Sequence, residues 1–207
     1  SSQKVIISRT GFTNELGWEI YLKPENDAKK IGDLILEEGK KMGMLLTASP
    51  GFRARRIEGG LLSSSRDFTK DRTPFSVGLG RFINFAKGDF IGREYLINAD
   101  KECLTWGMRV ENSFAVVDTA ILKNNKKIGL VTSSTWSPYQ VCGVSIVHMN
   151  DKKYGPGTIV EVMCNDGQLH KAEICKIPMY DSKGDIPRGL KEDIPNGPAP
   201  WQGIKKN

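Results

Sequence analysis

Arg9-Thr10-Gly11-Phe12-Thr13-Asn14-Glu15-Leu16-Gly17-Trp18-Glu19-Ile20-Tyr21 is the stretch on which the reading of this chain turns. Apolar residues stand on both sides of a polar, glycine-marked turn. This pattern predicts short strands over Lys4 to Arg9 and Trp18 to Leu22. Side chains alternate faces along a strand, so Glu19 and Tyr21 share one face and Trp18, Ile20 and Leu22 the other. The second set reads as a core face. The first sets an acceptor-only carboxylate beside a phenol, which suits a recognition face. On strand pattern alone the default is a solvated Glu19 and a packed Phe12, because exposed carboxylates are the norm.

Outward from this stretch the apolar period changes. Asn26 or Asp27 can cap a helix that runs to about Lys41, with Ala28, Ile31, Leu34, Ile35 and Met42 as its stripe. Ser49-Pro50 predicts a second helix start, with Ser at the cap and Pro in the first turn. Gly59-Gly60 weaken that helix and mark a close backbone approach. Strands and two helices in this order fit part of an α+β domain.

From Leu104 the texture is β. Short strands are expected at Trp106–Val110, Thr119–Leu122, Lys127–Val131, Gly143–Val147, Thr158–Val162 and Lys171–Cys175. Turn signals at Lys123-Asn124-Asn125-Lys126 and Asn165-Asp166-Gly167 separate them. Such a series predicts a small antiparallel barrel or jelly roll. Trp136 reads as a barrel-core residue or, less simply, as part of a lid. After Tyr180 the chain is rich in Pro, Gly and charge, including Asp193-Ile194-Pro195-Asn196-Gly197-Pro198, and has too little apolar content for a core of its own. An extended arm anchored by Trp201 is the expectation.

Several segments together resemble the glycine-cleavage T-protein (aminomethyltransferase) family. Arg9-Thr10-Gly11-Phe12 followed by Gly17-Trp18-Glu19-Ile20-Tyr21 is similar to its folate-binding motif. Arg56-Ile57-Glu58-Gly59-Gly60, Asp67 through Thr73-Pro74-Phe75, Lys87-Gly88-Asp89-Phe90-Ile91-Gly92-Arg93-Glu94 and the stretch Gly129 to Gly143 extend the likeness to about Tyr180. The resemblance implies an α+β chain in three parts. Residues 1–100 would form the C-terminal part of a ferredoxin-like α/β folate-binding domain, residues 101–180 an antiparallel β-barrel or jelly-roll domain, and residues 181–207 a Pro/Gly-rich tail. It also implies tetrahydrofolate as cofactor and methyl or aminomethyl transfer from a small one-carbon donor. Glu19, Tyr21 and Phe12 would be the cofactor-binding residues: a carboxylate can take two parallel ring N–H donors of a pterin. The catalytic residue is not assigned.

Relatives in the family are longer at the N-terminus. The expectation is therefore that a missing N-terminal portion, or a partner subunit, completes the active site. A non-catalytic folate-binding or assembly protein of the same fold is the alternative. Phe52 stands where aminomethyltransferases carry Arg, and Arg53, one residue away, is rotated by about 100° around a helix. In this respect the chain is similar to the dimethylsulfoniopropionate demethylase branch. Arg53 and Arg55 are candidates to meet a folate tail; the default for each is an exposed helical Arg.

Composition reads as soluble and globular and argues against several other classes. The 207 residues are 39% hydrophobic and 26% charged, with a formal net charge of +6. No apolar run approaches the roughly 20 residues that span a bilayer, so no membrane partner is expected and the cytoplasm is the simplest location. The basic residues are scattered and no nucleic-acid motif accompanies them, so a solvated surface is the default. Cys103, Cys142, Cys164 and Cys175 lack zinc-site spacing and read as free thiols in strand cores. His148 and His170 have no nucleophile partner recognisable from sequence.

Overall fold

The computed structural model describes residues 3–191 and 197–205. Strands β1 (Ile6–Ser8) and β2 (Glu19–Tyr21) pair antiparallel as a two-stranded ribbon, with Ile7 opposite Ile20 and Ser8 opposite Glu19. Helix α1 (Ala28–Lys41) follows. The Asp27 carboxylate accepts from Lys30 N at 3.0 Å as its cap, and Lys40 and Lys41 complement the negative end of the helix dipole. Two expectations fail here. Trp18, Ile20 and Leu22 are 59%, 42% and 41% exposed, and α1 buries none of its residues. The apolar stripes exist, but no described element lies across them, so alternation identified a face without supplying a core.

Helix α2 (Ser49–Glu58) is displaced by one residue from the expected start. Ala48 is the cap residue and makes no side-chain cap bond; Ser49 is already helical. Pro50 fixes the start, because a first-turn residue needs no N–H donor. Gly59 and Gly60 end the helix rather than interrupting it. Leu61 N donates to Arg56 O at 2.8 Å and Gly60 N to Ile57 O at 3.1 Å, a Schellman closure in which Gly60 takes φ +69. The expected close approach is present: a Cβ on Gly59 would lie 2.4 Å from Asn14 Cβ, and one on Gly60 2.7 Å from Ile177 Cβ. A short helix α3 (Arg93–Asn98) precedes the β region.

Strands β3 (Thr105–Val110), β4 (Ala120–Lys123), β5 (Lys126–Ser137), β6 (Cys142–Met149), β7 (Ile159–Met163) and β8 (Leu169–Cys175) form a closed barrel in the order β3-β6-β5-β4-β7-β8. All its pairings are antiparallel, and β3 with β8 shuts the ring. Inside lie Met108, Val110, Ile121, Val131, Val147, Met149, Val162 and Ile174, all fully buried. Each such side chain contributes about 1.5–3 kcal/mol. β5 runs six residues past its expected end at Val131, beyond a bulge between Val131 and Ser133. Its extension is hydroxyl-rich and shows no apolar alternation.

A smaller cluster lies outside the barrel wall. Ile57 of α2 packs on Cys142, Val144 and Ile146 of β6, with Leu62, Met179 and Trp201 around it. Trp201 is thus an anchor, held also by its N–H on Gln140 O at 2.8 Å and by the Arg109 guanidinium 6.0 Å from its ring. Other parts of the tail are less extended than expected. Ile186 is buried, and the Asp181 carboxylate accepts from the N–H groups of Asp185 and Ile186. The stretch Asp193 to Asn196 lies outside the described residues. Trp136 is half-buried and belongs to neither core cluster. Ile177 fills space left by two glycines, since a Cβ on Gly107 would fall 3.0 Å from its Cγ2.

Candidate functional site

Strand β2 places Glu19 and Tyr21 on one face, as alternation requires. Tyr21 OH donates to Glu19 Oε2 at 3.1 Å, and the Thr10 hydroxyl donates to the same oxygen. Oε1 has no hydrogen-bond partner among the described residues, and Glu19 is exposed. Phe12 stands apart from this pair. It lines a cleft of about 510 Å³ between α2 and the barrel, whose lining includes neither Glu19 nor Tyr21. Phe52, Arg53, Arg56 and Arg66 share that cleft with Thr132, Ser133 and Ser134 of β5. An aromatic, cationic and hydroxyl-rich wall of this kind accommodates a flat ring and an anionic group.

The floor of the cleft is a buried ionic network that sequence reasoning quoted but gave no role. Asp67 is wholly buried and accepts from Arg56 Nη1 and Ser63 N at 2.8 Å, and from the hydroxyls of Thr132 and Ser133 at 2.7 Å. Arg56 Nη2 also donates to Ser133 Oγ at 2.8 Å. Four donors on one carboxylate satisfy a charge that burial would otherwise penalise heavily. The hydroxyl-rich end of β5 is therefore explained: its side chains are ligands for α2 and for Asp67, so their partners lie far away in sequence.

A second network lies on the other side of α2. Glu58, also wholly buried, accepts from Arg55 Nη1 at 2.7 Å and from the Ser137 hydroxyl. Arg55 Nη2 pairs with Glu15, and the guanidinium lies 4.5 Å from the Tyr180 ring centroid and 5.2 Å from that of Tyr139. The default of an exposed helical Arg fails for Arg55, whose side chain is 24% exposed, and holds for Arg53. Burial pushes the Tyr180 phenol up to about 12, partly offset by the adjacent Arg55 charge.

The remaining titratable groups serve structure. His148 Nδ1 lies 2.9 Å from Thr105 Oγ1, and burial lowers its pKa to about 4. His170 Nε2 lies 2.7 Å from an Asp166 carboxylate oxygen. All four cysteines are free thiols; burial raises Cys142 to about 12 and Cys175 to about 11, which makes both poor nucleophiles. No cluster of three or more His, Cys, Asp or Glu residues suited to a metal ion occurs among the described residues, and none of the described helices is long and apolar enough to cross a membrane.

Comparison with known proteins gives this architecture a family. Residues 1–87 match the model of the GCVT N-terminal domain, and residues 106–181 that of the glycine cleavage T-protein C-terminal barrel domain. An aminomethyltransferase of Thermosipho melanesiensis is 35% identical over 86% of this chain and 48% of its own length. One from Bacillus subtilis is 30% identical over 87% and 51%. The chain thus spans about half the length of the curated relatives it matches. The glycine cleavage system aminomethyltransferase T of Bartonella henselae has the same fold, with a TM-score of 0.74 at 23% identity over 87% of this chain and 51% of that one. With both family models matched in order, and with the closed barrel that the second describes, the chain belongs to the glycine-cleavage T-protein family.

Proposed function

We propose that this chain supplies the pterin-facing part of a tetrahydrofolate-dependent one-carbon transferase, moving a methyl or aminomethyl unit from a small donor. The observation that carries the reading is Glu19: an exposed carboxylate with one oxygen held by Thr10 and Tyr21 and the other without a described partner. A reduced pterin offers two parallel N–H donors, and Oε1 takes the first directly. The second reaches Oε2 when the Tyr21 hydroxyl yields its place there. Such a charge-assisted pair fixes ring orientation as well as affinity.

When bound, the folate supplies a nucleophilic nitrogen. The residues of this chain orient and enclose it. Glu19 holds the pterin edge, while Phe12 and Phe52 offer apolar surface toward the rest of the molecule. Arg53 and Arg66 give the cleft a positive charge that favours an anionic tail. For an activated methyl donor, holding nitrogen and carbon in line is the main requirement. The exposed faces of β1, β2 and α1 are consistent with completion by the part of the relatives' length that this chain does not span, or by a partner subunit. Phe52 in place of a cation favours a donor other than the glycine-derived aminomethyl group, and the demethylase-like branch of the family offers such chemistry.

Calorimetric titration of tetrahydrofolate into the chain and into the product of its whole gene tests the reading. Glu19→Gln is expected to weaken binding by about 1–3 kcal/mol, the scale of a charged hydrogen bond. Absence of binding by both proteins, or an unchanged affinity in the variant, sinks it.

A further inference from the structure

The ribbon that carries Glu19 and Tyr21 has no core. Ile6, Ile7, Trp18, Ile20 and Tyr21 are between 42% and 62% exposed, so apolar burial does not fix where β2 stands. A two-stranded ribbon is marginal by itself. Its described polar ties to α2 and the barrel side are few. One is a long contact from Arg9 Nη2 to Pro187 O at 3.5 Å. The rest converge on the turn between the two strands.

That turn is held from three sides. Asn14, at φ 58, lies so close to the end of α2 that a Cβ on Gly59 would meet it at 2.4 Å. Tyr180 OH donates to Glu15 Oε1 at 3.0 Å and lies 3.5 Å from Thr13 O. Arg55 pairs with that same Glu15 oxygen and, through its other terminal nitrogen, with buried Glu58 at 2.7 Å. The planar guanidinium lies near both Tyr139 and Tyr180, which meet edge to face at 5.6 Å. A fork with fixed donor directions and a stacking face does what a flexible ammonium cannot.

We propose that Arg55 is a positioning residue for the Glu19 site: through Glu15 it fixes the turn, and with it the β1–β2 ribbon, against α2 and the barrel. The affinity arm of this inference rests on the folate reading above; its structural arm does not. Phe12, at the near end of the same turn, and Glu19, at the far end, then keep a constant relation to the cleft beside α2.

The test is backbone NMR relaxation together with tetrahydrofolate calorimetry on the wild type, Arg55→Met, Arg55→Lys and Glu19→Gln. In Arg55→Met, amide order parameters of Glu19, Ile20 and Tyr21 are expected to fall from about 0.85 to below about 0.6. Those of Val162 and Ile174 in the barrel stay unchanged, and tetrahydrofolate affinity falls at least tenfold. Arg55→Lys restores part of each loss. A general packing role would disturb barrel and ribbon alike, and that result overturns the proposal. So do ribbon order parameters at the wild-type level in Arg55→Met, whatever the affinity. If neither the wild type nor Glu19→Gln binds folate, in this chain or in the product of its whole gene, the folate reading fails and the order parameters alone decide. Should Arg55→Met fail to fold, Tyr180→Phe removes the other donor to Glu15 and keeps the ring. A smaller loss of ribbon order is then expected, and unchanged order overturns the inference.

Discussion

Ile174 in β8 and Ile20 in β2 are the same residue in the same kind of element, yet one is fully buried and the other 42% exposed. In the barrel every strand has two neighbours, so one face is enclosed by the ring itself and the backbone has no free edge. The ribbon has two strands, two open edges and two open faces. Closure, rather than residue type, separates a region that holds itself together from one that is held in place by a turn. The barrel should therefore carry the stability of the chain, and the ribbon should carry recognition at little cost in stability.

The strongest way to break that comparison is to attack what fastens α2, on which the turn of the ribbon rests, to the barrel. Asp67→Ala leaves Arg56 without its buried counter-charge and takes the acceptor from Ser63 N and the Ser133 hydroxyl, while Thr132 keeps Ile146 O. A loss of about 3–5 kcal/mol is expected in urea unfolding. Next, Ile174→Ala should cost about 2–5 kcal/mol, whereas Ile20→Ala should stay within about 0.5 kcal/mol. Equal losses at both positions would refute the contrast.

A pH series sharpens it. Burial lowers the His148 pKa from 6.5 to about 4, so above about pH 6.5 the neutral ring costs nothing. As pH falls from there toward 4 the unfolded chain takes up a proton that the folded chain does not, and stability is lost. The site is only partly enclosed, so solvent screening reduces the effect to about 1–2 kcal/mol. His148→Gln should flatten the profile between pH 6.5 and 4. Smallest is Asp27→Ala, which removes the α1 cap. It should lower helicity by circular dichroism, at a local cost of about 1 kcal/mol, and leave the barrel midpoint in place.

The barrel was legible because its signals are local. Alternation in Thr158–Val162 or Gly143–Val147 and the Asn-Asp-Gly turn each lie within a few residues, and each of the six strands covers most or all of an expected segment, with β5 extended beyond it. Asp27 as a helix cap is equally local. What stayed hidden depends on partners far along the chain. The far end of β5 lies beyond the strand expected at Lys127–Val131, and Asp67 and Glu58 take its hydroxyls across 65 to 79 positions. Arg55 reads as a solvent-facing cation until Tyr139, Tyr180 and Glu15 surround it. Alternation placed Glu19 and Tyr21 on one face, but no periodicity shows that Phe12 belongs to a different wall.

Ile177 occupies room that Gly60, at the end of α2, and Gly107, in β3, both leave open. These three positions cannot drift independently. An alanine at Gly107 presses on Ile177 as well as on Cys175 and Met179, so its penalty depends on what residue 177 happens to be. A side chain trimmed to its Cβ there, as in Ile177→Ala, would remove the Cγ2 that a methyl at Gly107 meets. A change at one of these sites thereby sets what the other two tolerate.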